Sequence, residues 1–149
     1  MAMFNRILVV CVGNICRSPM GEYLLRQKLA HRPGVVIESA GISALVGKPA
    51  DETALELLQE HGMDASEHKA RQTTEALLAN ADIVLAMERG HLKQLYQTAP
   101  QIRGKAFLMG KWIGDKDVPD PYKQQRPAFE HAYKLIDQAS EAWLKYLDK

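Results

Sequence analysis

The stretch Ile7-Leu8-Val9-Val10-Cys11-Val12-Gly13-Asn14-Ile15-Cys16-Arg17-Ser18-Pro19 decides the fold. Ile7 to Cys11 is an unbroken apolar run rich in β-branched residues, as expected of a strand covered on both faces in a parallel sheet. Gly13-Asn14 ends it. Ser18-Pro19 predicts a helix start with proline in the first turn. Tyr23, Leu24, Leu25, Lys28 and Leu29 carry that helix onward until Arg32-Pro33-Gly34 stops it.

Working outward, Val35 to Ala40 reads as a second strand, followed by a small-residue loop from Gly41 to Pro49. A helix opens at Asp51-Glu52, where acidic side chains suit the positive end of the dipole. It closes at His61-Gly62, with glycine past the last turn. Beyond a polar stretch, Ser66 to Thr74, come a short helix Glu75 to Asn80, a strand Ile83 to Ala86, a helix Arg89 to Thr98 and a strand Ala106 to Met109. Gly110 to Gln125 is expected to be a long functional or mobile loop. Phe129, Tyr133, Ile136, Ala139, Trp143 and Leu147 then recur at the spacing of one buried helix face. Strands alternating with helices predict a single three-layer α/β domain spanning 1–149, a four-stranded parallel sheet with helices on both faces. Ligands of such sheets bind beyond the carboxyl ends of the strands, the edge at which Cys11 lies.

Composition narrows the class. The chain has 149 residues, of which 46% are hydrophobic and 25% charged, which excludes disorder, collagen and coiled coil. Lys+Arg 19 against Asp+Glu 18 gives a net charge of +1, so no overall field favours nucleic acid or an anionic membrane. No apolar run approaches the roughly 20 residues of a membrane span. Met1-Ala2-Met3-Phe4-Asn5-Arg6 does not read as a signal peptide, so a cytoplasmic protein is expected. The only cysteines, Cys11 and Cys16, sit too close together to staple distant parts of a fold, which points to reactivity. His31, His61, His68, His91 and His131 lack zinc-type spacing, so neither a metal nor another cofactor is expected.

The loop after the first strand suits a tetrahedral anion. Backbone N–H groups of Val12, Gly13, Asn14, Ile15, Cys16 and the first helical turn can curl around it, aided by the helix dipole. Gly13 is expected to take backbone angles that a side chain forbids. Arg17 offers a planar fork to two phosphate oxygens. The same positive surroundings favour the thiolate of Cys11 as a nucleophile, with the Ser18 hydroxyl placed to donate to it. The ATP-type string G-x-x-x-x-G-K-[ST] does not occur.

Cys-x5-Arg-Ser resembles the signature of cysteine-dependent phosphatases, and its full form, C-x-G-N-I-C-R-S-P, resembles the low-molecular-weight protein tyrosine phosphatase family. The likeness continues through Glu38-Ser39-Ala40-Gly41, His68-Lys69-Ala70-Arg71-Gln72 and Asp120-Pro121-Tyr122, essentially the whole chain. It implies a flavodoxin-like, Rossmann-like fold and a two-step hydrolysis through a phosphocysteine. In that scheme Cys11 is the nucleophile, Arg17 binds the phosphoryl group, and Asp120 protonates the departing phenolate and then activates water. The resemblance also places Asn14, Ser39 and His68 in a network supporting the loop, and makes Tyr122 one wall of the substrate slot. Leu45 stands opposite, where eukaryotic members carry an aromatic residue. That departure resembles bacterial members associated with capsule and exopolysaccharide production, and implies as partner a phosphotyrosine protein, a membrane-associated tyrosine autokinase. Cys16 is open between plain packing and reversible disulfide trapping of Cys11. Trp112 reads as packing near the acid-bearing loop, with a part in its motion left open. Lys123 and Arg126 are either solvated cations or a lure for an acidic phosphopeptide. Rival functions are a phosphoarginine phosphatase, which usually carries threonine in place of Ile15; arsenate reduction, which needs resolving cysteines absent here; and a non-catalytic phosphopeptide-binding module.

Overall fold

A computed structural model describes residues 4–148. Met1 to Met3, the first part of the stretch read for a targeting signal, lie outside the described residues. The elements are β1 (Arg6–Cys11), α1 (Arg17–Lys28), β2 (Val36–Gly41), α2 (Glu52–Glu60), α3 (Glu75–Asn80), β3 (Ile83–Ala86), α4 (Arg89–Thr98), β4 (Ala106–Leu108) and α5 (Arg126–Leu147). Short 3-10 turns occupy Pro100–Gly104 and Lys111–Ile113.

All strand pairings are parallel, in the order β2-β1-β3-β4, so the chain steps to one side of β1 and then to the other. The period of two along β1 sorts its side chains between two cores. Ile7, Val9 and Cys11 pack with Met20, Leu24, Leu58, Phe129, Ile136 and Trp143, which belong to α1, α2 and α5. Leu8 and Val10 pack with Leu78, Val84, Leu95 and Ile102, on the α3 and α4 side. Both faces are therefore covered, as the apolar run of β1 requires. Among the described residues no helix is long and apolar enough to cross a membrane.

Helix α1 begins at Arg17, with Cys16 in the cap position, no side-chain cap and Pro19 in the first turn as expected. It ends at Lys28, ahead of Arg32-Pro33-Gly34, where the Leu29 N–H closes on Leu25. At α2 the reading holds: Asp51 caps the Thr53 N–H, and Gly62 follows the helix at φ 82°.

Candidate active site

Every carbonyl from Cys11 to Cys16 has a hydrogen-bond donor. Cys11 accepts from Ile42 N–H, Val12 from Ser43, Gly13 from Leu45, Ile15 from Asp51 and Cys16 from Met20. Asn14 accepts from the His68 ring at 2.7 Å. In a trans peptide the C=O and the next N–H point opposite ways, so with the carbonyls drawn outward the N–H groups face the cleft. That array, continued by the start of α1, forms an anion-binding concavity. The tethering strand must come close. A Cβ on Gly41 would stand 2.3 Å from the Val12 carbonyl oxygen, so only glycine fits there.

The left-handed residue of the loop is Asn14, at φ 60°, and not Gly13, which corrects the expectation of special angles at that glycine. Asparagine tolerates this region, and here its side chain holds it there. Its Oδ1 accepts the Arg71 N–H at 2.9 Å, which fixes the amide orientation and sends Nδ2 to Ser18 Oγ at 2.8 Å and Ser39 Oγ at 2.9 Å. Ser18 Oγ thus accepts a hydrogen bond from Asn14. Cys11 Sγ lies 2.9 Å from the same hydroxyl, close enough to accept its hydrogen when ionised. Ser39 Oγ donates a hydrogen bond to Glu22 Oε1 at 2.5 Å. Since the Asn14 carbonyl can only accept, His68 carries its hydrogen on Nε2.

Arg17 is 1% exposed. Both hydrogens of Nη1 are engaged, one by Glu88 Oε2 at 2.5 Å and one by the Val118 carbonyl at 2.7 Å. Nη2 and Nε remain for two oxygens of a bound phosphoryl group, the bidentate geometry that guanidinium favours. Asp120 Oδ2 lies 3.6 Å from Nη2, a charge contact beyond hydrogen-bond length. Beside this pair, His91 is buried, with Nε2 3.7 Å from Glu88 Oε2. Burial first, and the Arg17 charge second, push its ring toward the neutral form.

A cleft of about 130 Å³ joins Cys11, Val12, Gly13, Ile15, Cys16 and Arg17 to Leu45, Asp120 and Tyr122. Asn14 and Ser18 lie directly behind it, and Ser39 and His68 further back. The two cysteines differ. Cys11 touches Ser18, whereas burial above all, and then the Asp51 charge, push the Cys16 thiol far up, so Cys16 stays protonated. Both are free thiols.

The loop from Gly110 to Gln125, expected to be functional or mobile, is pinned over much of its length. Lys111–Ile113 forms a turn, Trp112 stacks on Tyr146 of α5 with ring centroids 4.5 Å apart, and Gly110 bridges Lys116. Asp117 and Val118 are anchored to the ends of α4 and β3. The stretch from Pro119 to Gln125, mostly exposed apart from the buried Pro121, is a turn closed on itself by Asp120 Oδ1 accepting the Tyr122 N–H at 3.0 Å. Arg126 is no free lure, since Glu60 and Glu130 engage its guanidinium, while Lys123 rests over the Tyr122 ring.

Sequence reasoning overlooked Glu88, Glu22, Ser43 and the Val118 carbonyl, and gave Arg71, quoted within the His68 to Gln72 match, no role. For Glu88 a signal existed, an acidic residue just past β3 at the carboxyl edge where ligands bind. The others come to the site through long-range contacts with no local pattern.

Residues 6–149 match the family described as low molecular weight phosphotyrosine protein phosphatase. The chain is 47% identical over 146 residues to the Escherichia coli K12 low molecular weight protein-tyrosine-phosphatase Etp, covering 98% of this chain and 97% of that one. The solved structure of Vibrio vulnificus Wzb in complex with benzylphosphonate is similar at a TM-score of 0.91 and 53% identity, over 97% of this chain and 99% of that one. The YwlE arginine phosphatase from Geobacillus stearothermophilus is also similar, at a TM-score of 0.89 and 32% identity, over 96% of this chain and 92% of that one. The chain belongs to the low molecular weight phosphotyrosine protein phosphatase family.

Proposed function

We propose that this chain hydrolyses phosphotyrosine in proteins through a phosphocysteine, with Cys11, Arg17 and Asp120 as its catalytic residues. One observation carries the reading: the Cys11 sulfur stands at the base of a loop whose carbonyls are all turned outward, beside an arginine with two nitrogens free. The N–H groups and Arg17 bind the phosphoryl oxygens and hold them as charge shifts in transfer. Sulfur attacks phosphorus and forms the S–P bond as the bond to the phenolic oxygen breaks. Asp120 gives its proton to that oxygen. In the second step Asp120 takes a proton from water, the new P–O bond forms and the S–P bond breaks. The returning thiolate is received by the Ser18 hydroxyl.

Leu45 and Tyr122 flank the cleft and suit a flat phenyl ring between them. The test compares phosphate release, in a chelating buffer, from matched phosphotyrosine, phosphoserine and phosphoarginine peptides, with wild type and Cys11→Ser. Phosphotyrosine-selective turnover that disappears in Cys11→Ser is expected. Faster release from phosphoarginine would favour the arginine phosphatase reading, and tight binding without turnover the docking module. The resemblance to bacterial polysaccharide-associated members supports a finer proposal: a cytoplasmic enzyme acting on a membrane-associated tyrosine autokinase. An autokinase tail left phosphorylated by enzyme that cleaves small aryl phosphates would refute it.

A further inference from the structure

The chain that leads to Asp120 is anchored at Asp117 and at Val118. Glu88, the residue in the cap position of α4, makes no side-chain cap, because its carboxylate is turned to Arg17. Asp117 Oδ1 takes that place from another part of the chain, accepting the Arg89 N–H at 3.0 Å. Arg89 Nη1 returns to the Asp115 carbonyl at 2.6 Å, closing the contact from both sides. The next residue, Val118, is buried and held at both ends: its N–H donates to the Met87 carbonyl at 2.9 Å, and its carbonyl accepts from Arg17. Between this anchor and Asp120 stands Pro119 alone, whose ring fixes φ. Asp117 and Val118 thus form one short anchor from which the acid-bearing turn departs.

We propose that Asp117 is a positioning residue for the general acid: by capping α4 it sets where Asp120 stands over the leaving oxygen, and it touches no substrate itself. The inference rests on Asp120 acting as that acid. Proton transfer requires the carboxyl group within hydrogen-bond reach of the oxygen. Leaving groups of high pKa need that proton, whereas p-nitrophenolate departs without it. Loss of the latch thus has a signature that general loosening of the fold lacks.

The experiment measures kcat/KM, which reports the steps through P–O cleavage. Substrates run from p-nitrophenyl phosphate to phenyl phosphate, with wild type, Asp117→Ala, Asp117→Asn and Asp120→Ala. Asp117→Ala is expected to lose about tenfold on phenyl phosphate and less than about twofold on p-nitrophenyl phosphate, in line with the cost of misplacing a catalytic group. Asp117→Asn keeps the accepting oxygen and is expected to restore wild-type behaviour on both. Should the alanine variant fail to fold by circular dichroism, Asp117→Glu displaces the carboxylate by one methylene and carries the same signature. A steep leaving-group dependence in Asp120→Ala with equal or absent losses in the Asp117 variant overturns the latch alone. A flat dependence in Asp120→Ala overturns the role of Asp120, and this inference with it.

Discussion

The loop Cys11–Arg17 and the turn from Pro119 to Gln125 line one cleft, yet they are held in opposite ways. In the loop every carbonyl has a partner, all but that of Cys16 from beyond α1, Asn14 is locked by contacts to Arg71, Ser18 and Ser39, and Arg17 is buried. The turn makes its hydrogen bonds mostly to itself, and the Asp120 side chain is 45% exposed. The difference follows from the two tasks. Stabilising charge on a transferring phosphoryl group needs dipoles already in place, since reorienting them during reaction would add to the barrier. Delivering a proton and then collecting one from water needs a carboxyl group that solvent can reach.

Perturbing each region sharpens the contrast. Cys11→Ser is expected to lower phosphate release by about 10⁴-fold or more, as removal of a nucleophile does, while phosphate binding, followed by calorimetry, persists. Asp120→Ala is expected to lower kcat/KM on phenyl phosphate by about 10²-fold, within the range of general acid catalysis, and to leave the urea midpoint unchanged. A marked loss of stability in that variant would break the comparison. Asn14→Ala should do the reverse, costing about 3 kcal/mol in urea denaturation because several buried groups lose their partners at once. Activity in that variant is expected to fall about tenfold, as the loop loses its preorganisation. The smallest effect is a pH dependence at His91. Its folded pKa lies below the ordinary 6.5, so below pH 6.5 the unfolded chain takes up a proton that the folded chain resists. Stability from this group is present above 6.5 and lost as pH falls toward the folded value. His91→Gln is expected to flatten that slope in denaturation curves taken between pH 7 and pH 5.

The strand and helix periods were legible wherever one residue type dominated a face. Ile83 to Ala86, Glu75 to Asn80 and Arg89 to Thr98 were each bounded in the sequence as they stand in the structure. The loop residues were legible because a strand end, a cysteine and an arginine fall within one segment. What escaped depended on contacts across the chain. Asn14 rather than Gly13 takes the left-handed angle because Arg71, far downstream, fixes its amide. The Ser18 hydroxyl, inside the first turn of α1, is shared by Cys11 and Asn14. Glu88 joins Arg17 only once β3 lies beside β1. The loop before α5 reads as free because the partners that pin it, Arg89, Met87 and Tyr146, lie in other elements.

The outward ties of the loop also bear on the order in which the molecule comes alive. Their donors, Ile42, Ser43, Leu45, Asp51 and His68, all follow the loop in sequence, and Val118 and Asp120 come later still. A growing chain that has exposed Cys11 and Arg17 has nothing yet to hold the loop open for phosphate. Such long-range closures come late in folding. Regain of phosphatase activity should therefore trail regain of helical signal when the denatured protein is refolded, and the enzyme is silent until it is whole.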